Sequence, residues 1–250
     1  MRLLAAYNVW ADGMDLLAHS VGNILPLVDK VLIVFSNNSN YGHYLPFSSL
    51  EPHEKIQYLN FEPNLHESPH INECAKRNAG LRWAKEEGFT HFLGMDSDEF
   101  YEAEPFRIEK YRIEKQDLAG TVCPIKVYFK KPTLTVGFDH TLVPFIHKIT
   151  PGLKFELNNK TYPYAYDPEG HAHIDPTRRL NITQGVELSN VIMHHFSWYR
   201  SDYKLKIENS AARNNLRKSS IYEDLKNAAP GVYNQFYRQE LKECENIFNL

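Results

Sequence analysis

Apolar runs in the first hundred residues alternate with helix-period segments, and this alternation limits the chain to an α/β fold. Residues 3–6 are a short apolar run. Residues 31–35 (Val-Leu-Ile-Val-Phe) are a continuous, largely β-branched run of the kind that parallel sheets bury on both faces. Residues 56–61 form a weaker third strand signal and residues 90–95 a fourth. Between the first two, Asp12-Gly13 opens a helix whose Met14, Leu17, Ala18, Val21, Ile24 and Leu25 share one face. Ser68-Pro69 reads as an N-cap with proline at the first helical position. The helix it starts runs to Glu87 and closes at Gly88. The order β-α-β-β-α-β predicts a mostly parallel sheet flanked by helices. Such sheets bind ligands beyond the carboxyl ends of their strands. Tyr7-Asn8, Ser36-Asn37 and Asp96-Ser97-Asp98 are therefore expected at one place.

The second half reads differently. Residues 121–129 and 191–198 are strand-like, and residues 130–190 carry Pro, Gly, His and Tyr with little helical period, which suggests loops and antiparallel strands. From Asp202 the chain turns helical, and Pro230-Gly231 precedes a last helix expected to end near Cys244. One domain is expected over residues 1–200, divided at 102 into two halves of different character, of which the first carries the expected ligand-binding strand ends. A helical C-terminal extension is expected over residues 201–250. Aromatic residues at 13% and a net charge of −3 exclude disorder and the strongly basic balance of non-specific nucleic-acid binders. No run of about 18 apolar residues is present, so no transmembrane helix is expected. The first eight residues are too short for a signal-peptide core, and three widely spaced cysteines argue for a reducing compartment. The expected location is the cytoplasm, the host's in the case of a virus-encoded chain. A nucleophile elbow, a P-loop and a G-x-G-x-x-G turn are all missing, against serine hydrolase, P-loop and dinucleotide chemistry.

Four clusters could carry chemistry. Asp96-x-Asp98 puts two carboxylates at a strand end, where both can reach one hard cation. Mg²⁺ or Mn²⁺ is held through one or two carboxylates, with phosphates and water completing the shell. Lys76-Arg77-Asn78, on the preceding helix, could hold a diphosphate or sugar hydroxyls. In a strand, His194 and His195 point to opposite faces, so one of them can face the site. The segment 169–175 offers Glu169, His171, His173 and Asp175, as a zinc-like pair or as a catalytic acid or base. Against each stands a plain structural role: solvated loop acids, a solvated basic helix face, packed histidines.

The runs Lys76-Arg77-Asn78-Ala79-Gly80-Leu81 and Gly88 to Phe100 resemble the core of GT-A fold glycosyltransferases of the family 2-like group. Tyr7-Asn8, the helix from Asp12 to Leu17 and Val28 to Val34 are similar to the first βαβ unit of that family. His194-His195-Phe196-Ser197-Trp198-Tyr199-Arg200, with Lys206 and Asn209, resembles its C-terminal His motif. The likeness covers residues 1 to about 102 and 191–210; residues 103–190 match nothing in the family pattern. It implies a nucleotide-sugar donor, a UDP-sugar first of all. Tyr7, Asn8, Asp12, Ser36 and Asn37 would surround base and ribose, and Lys76, Arg77, Asn78, Asp96 and Ser97 the rest of the donor. Asp98, with Asp96 and with His194 or His195, would ligate Mn²⁺ or Mg²⁺. Metal and basic groups would neutralise the departing diphosphate. An inverting reaction also needs a carboxylate base, for which Asp139, Asp167, Glu169 and Asp175 are the choices.

Three rivals fit less well. A nucleotidyltransferase would show a Gly-rich basic loop where residues 8–13 read Asn-Val-Trp-Ala-Asp-Gly. A phosphatase using Asp-x-Asp carries it after the first strand. A non-catalytic sugar- or partner-binding module has no need of intact Asp96 and Asp98. For the acceptor, Tyr128, Tyr162, Tyr164 and Tyr166 offer an aromatic platform, and Arg178-Arg179 a phosphate contact. A glycan or lipid-linked acceptor is favoured over a modified DNA base.

Overall fold

Strand β1 (Leu3–Trp10) alternates its side chains between two cores, as the period of two requires. Leu3, Ala5, Tyr7 and Val9 enter one apolar cluster and Leu4 and Ala6 the other. In the computed structural model, which describes residues 1–166, 170, 173–211, 213–214 and 218–250, β1 is the centre of a parallel array. Helix α1 (Met14–Ile24) follows a short 3₁₀ turn at Ala11–Gly13 and buries Leu16, Leu17, Ser20, Val21 and Ile24. β2 (Lys30–Ser36) pairs parallel with β1, and β3 (Ile56–Asn60) parallel with β2.

Helix α2 (Pro69–Glu86) starts as expected: the Ser68 hydroxyl accepts from the Ile71 amide at 3.3 Å, with Pro69 in the first turn. Gly88 follows at φ +71°. The buried face of α2 is partly polar, with Asn72, Lys76 and Arg77 beside Ala79, Gly80, Leu81 and Ala84. That face does two jobs: its C-terminal half packs on the sheet and its N-terminal half borders a cavity. Gly80 permits the packing, since a Cβ there would lie 3.1 Å from a Val34 methyl and 3.4 Å from Ala6 Cβ.

β4 (His91–Met95) returns to the other side of β1. The chain thus runs β1-β2-β3 outward, then crosses back to β4, so β1 and β4 flank a topological switch point. Directly after the turn at 96–98, β5 (Glu99–Phe100) pairs at the far end of the same sheet. Helix α3 (Ala103–Gln116) leads to β6 (Gly120–Tyr128), which forms a long antiparallel hairpin with β7 (Leu134–Lys148). β7 joins this part to β4, also antiparallel. β8 (Val186–Leu188) and β9 (Met193–His195) each pair parallel with β6. The path β3-β2-β1-β4-β7-β6-β9-β5 is a mixed sheet whose first four strands are parallel.

The C-terminal region begins with helices α4 (Tyr203–Asn209) and α5 (Lys218–Asn227). The last helix expected after Pro230 does not form. β10 (Tyr233–Asn234) and β11 (Gln239–Glu240) make a small hairpin, and β12 (Lys242–Glu243) pairs with β7. Tyr233, Phe236, Tyr237, Leu241 and Cys244 do recur at helical spacing, but Asp224 accepts from the Gln235 and Phe236 amides and β12 pairs with β7, so the tail's backbone is satisfied without a helix. Among the described residues, no helix is long and apolar enough to cross a membrane.

Gly80→Val would force methyl groups into the α2–sheet contact. The expected cost is about 1–3 kcal/mol, read as a lower urea midpoint at unchanged m value; an unchanged midpoint would show that α2 does not depend on this approach.

Candidate active site

The carboxyl ends of β1, β2 and β4 meet at a cavity of about 660 Å³, within the usual size range of small-molecule sites. β1 contributes Asn8 and Trp10, the turn after it Asp12, and β2 contributes Ser36. From α2 come Glu73, Lys76 and Arg77, and from the turn after β4 come Asp96, Ser97 and Asp98. Asp175, Arg178, His195, Arg200 and Lys206 close it from the second half of the chain.

Each α2 cation is held by a strand end. Lys76 Nζ donates to the Ser36 hydroxyl at 2.9 Å and to the Val9 carbonyl. Burial pulls its pKa down to about 7, against the attraction of Glu73 and Asp12. Arg77 donates to both Asp96 oxygens at 3.1 and 3.2 Å. Arg178 donates to Asp96 as well, and also to Glu99, a fully buried carboxylate. Burial alone would raise the Asp96 carboxyl, but Arg178 and then Arg77 outweigh it and hold it below the usual range. For Glu99 burial wins over Arg178 and its carboxyl is raised.

Asp98 is 2% exposed and is surrounded by positive groups. Oδ2 accepts from Arg200 at 2.5 Å and from Lys206 at 3.0 Å, while Oδ1 lies 3.6 Å from His195 Nε2. Burial is again outweighed, here by Lys206, Arg200 and His195, and the Asp98 carboxyl sits well below the usual range. A depressed carboxyl stabilises the fold at every pH above its ordinary value and loses that contribution only as pH falls toward its folded value. Arg200 also donates to the Asp12 carbonyl at 2.7 Å, and Ser201 donates to Asp15. Residues 197–206 therefore form a strap across the end of β1. Gly13 lets the strand end lie under it: a Cβ at that position would collide with the Ser97 hydroxyl.

Not every expected residue arrives. Tyr7 is within β1 and fully buried, its hydroxyl bonded to Ser20 at 2.8 Å. Asn37 turns aside, accepting from the Phe47 amide on its side chain and from the Trp10 indole on its carbonyl. Asn78 pairs with both backbone groups of Phe155, at 2.8 and 2.9 Å, and so anchors the loop after β7 rather than a ligand. Strand alternation separates the two histidines. His195 faces the cavity, whereas His194 is buried against Tyr128 and Phe248, with Nδ1 2.9 Å from the Tyr128 hydroxyl. Burial, with Lys126 nearby, lowers His194 to about 4. Asp167, Glu169 and His171 lie outside the described residues; His173 makes a bond to the His140 carbonyl at 3.1 Å.

Of the donor set for a divalent ion, Asp98 Oδ1 and His195 Nε2 fit, an oxygen and a nitrogen facing each other with no other bond to Oδ1 among the described residues. Asp96 is taken up by two arginines. Among the described residues no three His, Cys, Asp or Glu side chains are grouped to hold one ion, so phosphate oxygens and water would have to complete any shell.

The tyrosines expected as a platform do not form one. Tyr128 and Tyr162 are core residues, bonded to His194 and His147. Tyr164 and Tyr166 are exposed but do not border the cavity, and Arg179, beneath Tyr166, spends its guanidinium on the carbonyls of Ala165 and Ile174. The sequence reading missed Trp10, Glu73, Phe236 and Tyr237, which do border it. Glu73 had a legible signal, four residues before Arg77 on the same helix face. The aromatic pair had none.

No protein-family model matches the chain, and no curated protein matches it in sequence. Among solved structures it is similar to the crystal structure of S. aureus TarS 1-349, at 15% identity and a TM-score of 0.45 over 91% of this chain and 71% of that one. The TarS 1-349 complex with UDP-GlcNAc gives 14% and 0.45 over 91% and 72%. The mannose-1-phosphate geranyltransferase from Thermus thermophilus gives 15% and 0.31 over 54% of this chain and 44% of that one. This chain's own strand order, its switch point between β1 and β4 and the acidic turn that ends β4 are those of a GT-A-like α/β fold.

Proposed function

We propose that this cavity binds a nucleotide-sugar and transfers its glycosyl group to an acceptor hydroxyl. The observation that carries the reading is the convergence of Arg77, Arg178, Arg200 and Lys206 on half-buried Asp96 and buried Asp98, with Lys76 beside them, at the switch point of the sheet. Such an array pairs its charges internally as it stands, and it suits a ligand that carries both anionic and hydroxyl groups. Hydroxyls donate to the carboxylates, and phosphate oxygens accept from the cations released from them. Trp10, Asn8 and Ser36 border the end next to β1 and β2, where a base and ribose would lie.

In the transfer the bond between the anomeric carbon and the diphosphate oxygen breaks, and negative charge grows on the departing diphosphate. Arg200 and Lys206, held on a strap and a helix beside Asp98, are placed to meet that charge once the ligand draws them from the carboxylate. A Mn²⁺ or Mg²⁺ ion would be held by Asp98 and His195 and would add Lewis-acid stabilisation of the same charge. The acceptor hydroxyl's proton needs a carboxylate; Asp175, exposed at the cavity wall opposite Glu73, is the residue we assign to it.

UDP, the nucleotide named in the TarS complexes, is the first probe. Calorimetry should detect UDP binding to the wild type, strengthened by Mn²⁺ and weakened by chelation. Lys206, the most exposed of Asp98's hydrogen-bond donors, tests the anion site with the least cost to the fold: Lys206→Ala should weaken UDP about tenfold. Asp98→Asn should abolish release of nucleoside diphosphate from a panel of nucleotide-sugars. It should also destabilise the protein by about 3–5 kcal/mol, because Arg200 and Lys206 lose their buried counter-charge. Absence of UDP binding and of turnover with every donor would sink the reading.

Glu73 supplies a pH test of the same wall. Burial, then the facing Asp175, pushes its carboxyl up to about 7, against Arg77. A raised carboxyl favours the fold below its ordinary value near 4.5 and loses that contribution as pH rises toward 7. Glu73→Gln should therefore melt higher than wild type at pH 8, by about 2–4 °C for each kcal/mol of that lost contribution, and equal to it at pH 4. Equal melting at both would show that Glu73 is an ordinary surface acid.

A further inference from the structure

The cavity also has an aromatic stretch of wall to which the donor reading assigns no part. Phe236 and Tyr237, both only half-buried, border it beside Trp198. Their rings stand perpendicular, 4.9 Å apart, and Phe236 meets Trp198 edge to face at 5.9 Å. The Trp198 indole donates to the Tyr237 hydroxyl at 2.9 Å.

This corner is built rather than left over. It lies on the turn between β10 and β11, and the turn is held by a buried carboxylate. Asp224 of α5, 6% exposed, accepts from the Gln235 amide at 3.0 Å and from the Phe236 amide at 2.9 Å, one on each oxygen. The buried Asn234 side chain accepts from the Tyr237 amide at 2.8 Å. The Gln239 side chain donates to the Phe138 carbonyl of β7 at 3.1 Å. Placing a charge under a turn in order to hold two rings half-open in a cavity costs desolvation and leaves apolar surface uncovered, unless something covers it.

The polar groups there say what. Asp139 and Thr141 border the same space. Asp139 Oδ1 accepts from the Thr141 amide and hydroxyl, and Oδ2 has no bond among the described residues. Asp139 and Asp98 both help to raise the Tyr237 phenol, after its burial, so the corner lies within the field of both carboxylates. Aromatic faces beside a carboxylate and a hydroxyl match a neutral ring with one apolar C–H face and a rim of hydroxyls. A phosphodiester chain would meet Asp139, whose hydrogen bonds among the described residues come only from Thr141, with like charge.

We propose that Phe236, Tyr237 and Asp139 form the acceptor subsite and that it takes the pyranose ring of a neutral glycan. The proposal rests on the glycosyl-transfer reading of the cavity and adds the acceptor class to it.

The test uses the full chain, titrated by ligand-observed NMR with methyl β-D-glucopyranoside, methyl β-D-galactopyranoside and methyl N-acetyl-β-D-glucosaminide, with and without UDP. At least one should bind saturably. Phe236→Ala should weaken it about tenfold, Phe236→Tyr should keep the affinity, and Asp224→Ala should weaken it although both rings remain. UDP affinity should be unchanged in all three, which also shows that they fold. No glycoside binding to the wild type, equal binding to Phe236→Ala, or preferential binding of an oligothymidine would each overturn the proposal. Failure of UDP to bind the wild type would instead overturn the donor reading, and a glycoside response that depends on Phe236 would survive it.

Discussion

Asp98 is the point on which the two halves of this chain close. It ends the turn after β4, it is almost without solvent, and it is bonded to residues about a hundred positions further along, Arg200 and Lys206. A buried carboxylate has to find positive partners or give up its charge. Here the partners arrive on a strap that also bonds Asp12 and Asp15 at the end of β1. One desolvated charge thus dictates where the strap runs, how β9 meets β5, and which face of the sheet becomes a cavity.

Around that point the molecule keeps charges in excess of what packing requires. Arg178 serves Asp96 and Glu99 at once, and its Nη1 and Glu99 Oε2 have no partner within the described residues. Asn8 Oδ1 and Arg77 Nε are in the same position. Unsatisfied buried polar atoms are uncommon in native folds, and each calls for an explanation such as a ligand that completes it. Of the eight such atoms among the described residues these four belong to residues of one cavity, while those of Tyr101, Thr121, His194 and Asn234 lie elsewhere, and a ligand with both donors and acceptors would complete the four.

How much of this the sequence discloses follows from how local each cause is. The parallel strands, α2 with its Ser68 cap and Gly88 stop, and the position of Asp96 and Asp98 all depend on nearby residues in the chain, and periodicity finds them. The pairing of His194 and His195 with opposite faces follows from strand geometry, but which one faces the site depends on β6 and on Phe248 packing behind His194. Helix α3 hides for another reason. It buries Phe106, Glu109 and Ile113 while Ile108 and Tyr111 stay exposed, so no clean apolar stripe shows. Tyr128 and Tyr162 looked like a platform because tyrosine can serve on either side of a surface; their hydroxyls find histidines inside the core. Asn78, expected beside Lys76 and Arg77 as a ligand contact, is explained by its two bonds to Phe155.

The C-terminal tail shows the same contrast between local and distant causes. By sequence it looks like an appendage, yet a boundary at residue 200 separates Arg200 from Lys206, the two donors to one carboxylate oxygen. Beyond them, β12 hydrogen-bonds to β7 and the β10–β11 turn is pinned by Asp224. Neither feature requires an apolar pattern in the tail; each uses backbone amides, which every non-proline residue carries. A segment fixed through its backbone is free to choose its side chains for the cavity. Phe236 and Tyr237 rest one side on the main core, against Trp198 and Phe129, while α5 holds the turn that carries them. The tail therefore forms part of the cavity wall: near its start Lys206 reaches the acidic turn, and further along Phe236 and Tyr237 border the same space.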